Sequence, residues 1–136
     1  KVMRVTIGTT DYINLNYVTF TALNVNKAPT VSLTAPANNS TYTSLQSVSL
    51  SATAADADGT IASVKFYDGT TLLSTDNTSP YSYTATSMSI GTHSLTAVAT
   101  DDKGLSTTST AVTITVTGVQ SAFKTLNIPG RIEAED

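Results

Sequence analysis

Apolar and polar residues alternate along most of the chain, and no other feature limits its possible folds as much. Val31-Ser32-Leu33, Val48-Ser49-Leu50-Ser51-Ala52, Val64-Lys65-Phe66, Tyr81-Ser82-Tyr83, Leu95-Thr96-Ala97 and Val112-Thr113-Ile114-Thr115-Val116 all repeat with a period of two. That period puts apolar side chains on one face of an extended strand and hydroxyls on the other. No segment carries a helical stripe. Turn-forming clusters separate the runs at Pro36 to Ser40, Asp56 to Gly59, Asp68-Gly69, Asp76 to Pro80, Gly91 and Asp101 to Gly104, because Gly, Asn and Asp tolerate turn conformations and Pro presets one.

About seven short strands punctuated in this way predict an all-β fold: an antiparallel immunoglobulin-like β-sandwich with short extra strands at both termini. Tyr67-Asp68-Gly69-Thr70 predicts a tight hairpin, since Gly takes positive φ at low cost. Asn26-Lys27-Ala28-Pro29-Thr30 reads as a short linker stiffened by its proline. Alternation turns Phe66, Tyr81 and Tyr83 inward and leaves Tyr42 and Tyr67 as the aromatic rings available to stack on a sugar face.

Charged residues are 12% of the chain, whereas Ser and Thr make up roughly a third of it, far above their usual share. Thr is β-branched, so it suits a pleated surface while keeping the wet face soluble without charge. The net charge of −3 and pI near 4.8 give no basic footprint for nucleic acid or an anionic membrane. Neither is expected as a partner. With no cysteine, stability has to come from packing, because disulfides and thiolate metal sites are ruled out. No apolar run is long enough to cross a bilayer as a helix, and Lys1 reads as an internal cut.

Candidate chemistry is sparse. The acidic pairs Asp56/Asp58 and Asp101/Asp102 sit in turns beside Gly59 and Gly104, where Asp ordinarily caps backbone amides. A glycosidase needs two carboxyls flanking a cleft, and neither pair predicts one. His93, the single histidine, follows Gly91-Thr92 at the start of a strand and reads as a structural residue. Asp56-Ala57-Asp58-Gly59 shares Asp-x-Asp-Gly with calcium loops but lacks the distal Glu of an EF-hand. Asp56 and Asp58 are therefore candidate ligands for a structural Ca²⁺, joined by Asp101 and Asp102 if the two loops share one end of the sandwich. The Asn-x-Ser/Thr matches at Asn38, Asn39 and Asn77 are chance products of so many hydroxyls.

Four blocks in order carry a family resemblance: APTVSLTAPANNSTY, DADGTIASVKFYDGTTLLSTD, SPYSYTATSMSIGTHSLTAVATDDKG and the closing TITV. Together they resemble the bacterial immunoglobulin-like modules that lie between catalytic and sugar-binding domains in secreted polysaccharide-degrading enzymes. At the front, NLNYVTF resembles the last strand of a family 6 carbohydrate-binding module, and at the end IPGRIEAED resembles the first strand of another.

The resemblance implies a division into an upstream jelly-roll fragment (1–24), a linker (25–29), the immunoglobulin-like domain (30–117), a second linker (118–125) and a downstream jelly-roll strand (126–136). It implies a structural Ca²⁺ held by Glu133, Glu135 and Asn16, with Asn14 in the upstream sugar cleft. Alternate positions on a strand point the same way, and hard oxygens suit Ca²⁺.

The implied function is that of a non-catalytic spacer, secreted or at the cell surface, inside a parent glycoside hydrolase. Its partners are neighbouring modules of the same polypeptide and, through them, polysaccharide. The chain itself is expected to be a monomer, with strand exchange open to its terminal segments. The alternative is a weak carbohydrate-binding or adhesion module built on Tyr42 and Tyr67.

Overall fold

The computed structural model describes residues 3–5, 20–22 and 25–119. Two short strands, β1 (Met3–Val5) and β2 (Phe20–Ala22), pair antiparallel. Nine more follow: β3 (Thr30–Ala35), β4 (Ser40–Thr43), β5 (Val48–Ala55), β6 (Ile61–Asp68), β7 (Thr71–Asp76), β8 (Tyr81–Ala85), β9 (Gly91–Asp101), β10 (Ser106–Thr108) and β11 (Val112–Thr117). They form two sheets. One has the order β3-β5-β8; the other has the order β4-β11-β9-β6-β7, with β10 also paired to β9. Every pairing is antiparallel except β4 with β11, which is parallel.

The alternation in the sequence becomes the core between the sheets. Val48, Leu50 and Ala52 of β5 face Val64 and Phe66 of β6, Leu95, Ala97 and Ala99 of β9, and Ile114 and Val116 of β11 within one buried cluster. Each of the larger side chains contributes about 1.5–3 kcal/mol by leaving water. Ser49, Ser82, Thr84, Thr92 and Ser94, one position out of phase, are exposed. An immunoglobulin-like sandwich follows from this pattern and topology.

Gly69 and Thr70 make the two-residue turn from β6 to β7, with Gly69 at φ +55°. A register shift between Phe66 and Tyr67 precedes it.

Two strands escape the alternation. β4 follows the turn at Pro36, and β10 is three residues long. Both owe their place to β11 and β9 rather than to a pattern of their own.

The directions of the strands define two ends. At the proximal end Thr30 pairs with Ala55, and Ile61 pairs with Asp101. At the distal end Asp68 pairs with Leu95, and Val116 pairs with Gly91. The chain therefore enters the sandwich proximally and leaves it distally. At about 3.4 Å per residue, the eleven residues of β9 span on the order of 35 Å between the two.

Candidate functional site

The proximal end gathers the two aspartate pairs singled out by the sequence. The loop from β5 to β6 carries Asp56, Asp58 and Gly59, and the turn after β9 carries Asp101, Asp102 and Lys103. The pairing of Ile61 with Asp101 brings the two loops together. A Cβ at Gly59 would collide with Asp102 Oδ1 and Asp56 Oδ2 and sit 3.2 Å from Lys103 Nζ. Only a residue without a side chain leaves room for these three groups to converge.

The incoming linker is tied into this cluster. Asn26 Nδ2 donates to Asp101 Oδ2 at 2.8 Å, and Lys27 N lies 3.2 and 3.3 Å from the two oxygens of Asp58. Lys103 Nζ donates back to Asn26 Oδ1 at 3.1 Å and to the Asp58 carbonyl at 3.0 Å. Its ion pair with Asp102, at 3.8 Å and half exposed, adds little by itself.

Asp101 is the anchor: it is 2% exposed, and its Oδ1 accepts from the backbone N–H of Lys103 and of Leu105, each at 2.9 Å. Burial works against its charge, but the Asn26 amide and these backbone donors prevail and hold its carboxyl below the ordinary range. Asp56 Oδ1 accepts from Asp58 N at 3.3 Å, while its Oδ2 is buried with no partner.

A second polar centre lies at the distal end. His93, 8% exposed on the inward face of β9, has Nδ1 2.6 Å from Asp68 Oδ2 and Nε2 2.8 Å from the Ser89 carbonyl. Asp68 Oδ1 also accepts from Ser94 N at 3.2 Å. Burial opposes the imidazolium, yet the Ser89 carbonyl and the bond and charge of Asp68 outweigh it, so its pKa is raised.

Residues 29–97, half of the chain, match the sequence profile of the family described as Bacterial Ig domain. The chain belongs to the bacterial Ig domain family. No curated protein matches it. Among solved structures, this bacterial Ig domain is similar to the fibronectin(III)-like modules of Clostridium thermocellum CbhA. That match has 28% identity and a TM-score of 0.62, over 67% of this chain and 98% of that one. A structure of carbohydrate-binding modules from the β-sandwich superfamily gives 26% identity and a TM-score of 0.54, over 71% of this chain and 37% of that one. The PKD1 domain of Vibrio anguillarum Epp shares the fold at 24% identity and a TM-score of 0.51, over 69% of this chain and 99% of that one. The bacterial Ig domain is thus an Ig- and fibronectin(III)-like module of the kind carried by multidomain bacterial proteins.

The sugar-site candidates do not meet. Tyr42, expected to face outward, is partly buried and packs against the core, because pairing with Val116 sets which way β4 faces. Tyr67 is half-buried and, being next to the buried Phe66, points to the opposite face of the same sheet. β11 and β9 lie between their strands, so the two rings form no common platform. Asn14, Asn16, Glu133 and Glu135 lie outside the described residues.

Asp56 and Asp58 do share the proximal end with Asp101 and Asp102. The groups that sequence reasoning missed are Asn26, Lys27 and Lys103, which join linker to loops. Asn26-Lys27 immediately before the Pro29 junction was the only available signal.

Proposed function

We propose that this bacterial Ig domain is a non-catalytic spacer in a secreted polysaccharide-degrading enzyme, holding carbohydrate-binding and catalytic modules at a set separation and angle. The single observation that carries this reading is that the chain enters at one end of the sandwich and leaves at the other. Whatever precedes the module is then kept about one sandwich length from whatever follows. The ties from Asn26 and Lys27 to Asp101 and Asp58 support it, since a clamped linker fixes direction as well as distance and so sets effective concentration on an insoluble substrate. The glycoside hydrolase parent and its polysaccharide follow from the resemblance in the four sequence blocks.

The test is retention of the intact chain on a panel of insoluble polysaccharides, with and without Ca²⁺. The spacer reading expects none. Retention that persists in a fragment of residues 28–117 would overturn it and make the sandwich itself a binding module.

Calcium at the proximal end belongs to the same proposal. The donors are hard oxygens of the kind Ca²⁺ prefers, and the partnerless Asp56 Oδ2 and the side-chain-free position at Gly59 fit a cation. Among the described residues no group of three acidic or imidazole ligands is preassembled for a metal. The Asp56, Asp58 and Asp102 carboxylates would therefore be supplemented by Asn26 Oδ1, in place of the Lys103 ammonium. A bound ion would neutralise the carboxylates and tighten the linker. The expected result is a Ca²⁺-dependent rise in Tm, enlarged in Lys103→Met; identical melting in Ca²⁺ and chelator for both proteins would remove calcium from the reading.

A further inference from the structure

We propose that His93 is a pH-operated latch at the distal end, closed when its imidazole carries a proton on each ring nitrogen. The two nitrogens face two acceptors, the Asp68 carboxylate at 2.6 Å and the Ser89 carbonyl at 2.8 Å. A carboxylate and a carbonyl only accept, and a neutral imidazole donates from only one nitrogen. Only the imidazolium satisfies both contacts.

The two acceptors belong to separate elements. Asp68 ends β6 at the hairpin into β7, where its other oxygen receives Ser94 N. Ser89 lies in the connection from β8 to β9, between the buried Met88 and the exposed Ile90. His93 thus joins the hairpin tip to that connection. Between them is a cleft open to solvent, of about 310 Å³, lined among others by Asp68, Leu73, Tyr83, Met88, Ser89 and His93.

Among the described residues, Asp68 is the charged group bonded to the imidazole, and Tyr83 of β8 is the titratable group sharing the cleft. β7 contributes Leu73 to the cleft and β11 sets Ile114 opposite His93, so neither adds a charge there. The sign follows from the geometry. Protonated His93 is favoured in the folded chain over the unfolded one, so the latch contributes fully below the unfolded pKa and is lost as pH rises through the folded one. With the proton gone, one acceptor loses its donor, the connection at residues 86–90 is released from the hairpin, and the cleft between them widens.

The test uses the intact chain labelled with ¹⁵N and ¹³C. At acidic pH the imidazole should show both ring N–H groups, and its titration midpoint should lie above the ordinary histidine value. The amides of Ser87, Ser89 and Ile90 should shift with the same midpoint, and their hydrogen exchange should quicken above it beyond the intrinsic effect of pH. Asp68→Asn, which keeps the shape of the side chain, should lower that midpoint. A neutral single-tautomer ring at pH 6, or a midpoint unmoved by Asp68→Asn, would overturn the proposal. So would amides at 87–90 that ignore the titration of the ring.

Discussion

The proximal and distal ends of the sandwich are held by opposite chemistry. Proximally, carboxylates with lone pairs to fill collect donors from the linker and from two loops, centred on the buried Asp101. Distally, one imidazole with two protons to give collects acceptors from a hairpin and a strand connection. The same core serves both, so the difference lies in which group's titration breaks the contacts, Asp101 at the proximal end and His93 at the distal end. The proximal end needs Asp101 deprotonated, and the distal end needs His93 protonated. Acid loosens the first and alkali the second, and maximal order at both requires a pH between the two.

The largest expected effect ignores this division. Phe66 is fully buried in the middle of β6, so Phe66→Ala should cost about 4 kcal/mol and weaken both ends together in urea unfolding. An effect confined to one end would show that the two do not share a core.

Next is Asp101→Ala, which strands the Asn26 amide and two backbone N–H groups and should lower Tm by roughly 10 °C. Its signature is faster hydrogen exchange at residues 26–27 and 103–105, with Ser89 and Ile90 unchanged.

The pH dependence comes third. Asp101 contributes above its unfolded pKa and is lost as pH falls through its lowered folded value; His93 behaves in the opposite sense. Urea midpoints measured across pH should fall on both flanks. Asp101→Asn should flatten the acid flank and Asp68→Asn the alkaline one, and an exchange of those assignments would invert the comparison.

Gly59→Ala is smaller, about 1 kcal/mol, since the new methyl meets carboxylate tips that are able to turn aside. Lys103→Met should change stability by less than about 0.5 kcal/mol, as expected for a half-exposed pair.

The sandwich was legible in the sequence because each core strand writes its own alternation: Val48, Leu50 and Ala52 need no partner to declare their face. β4 was not legible in that way. Its face is imposed by a parallel partner more than seventy residues away in sequence, which is why Tyr42 was expected in solvent and lies against the core. The meeting of Asp56 and Asp58 with Asp101 and Asp102 was foreseen only conditionally, since it depends on β6 and β9 pairing in register. The contact of His93 with Asp68 arises from the same pairing. Asp68 read as a turn residue, but it ends β6 one position before the turn at Gly69 and Thr70, and nothing local announced the imidazole. Polar centres in this chain are made by register, and register is a property of pairs.

The parallel pairing of β4 with β11 has a mechanical consequence. β4 follows directly on the strand by which the chain enters, and β11 is the strand by which it leaves. Ser40, Thr41, Tyr42 and Thr43 match Ile114, Thr115, Val116 and Thr117 in register. A pull on the two flanking segments draws these strands past each other along their length, so their rungs are loaded side by side and must break together rather than open one at a time. A module tethering an enzyme to a solid substrate in flowing liquid would bear tension in that direction.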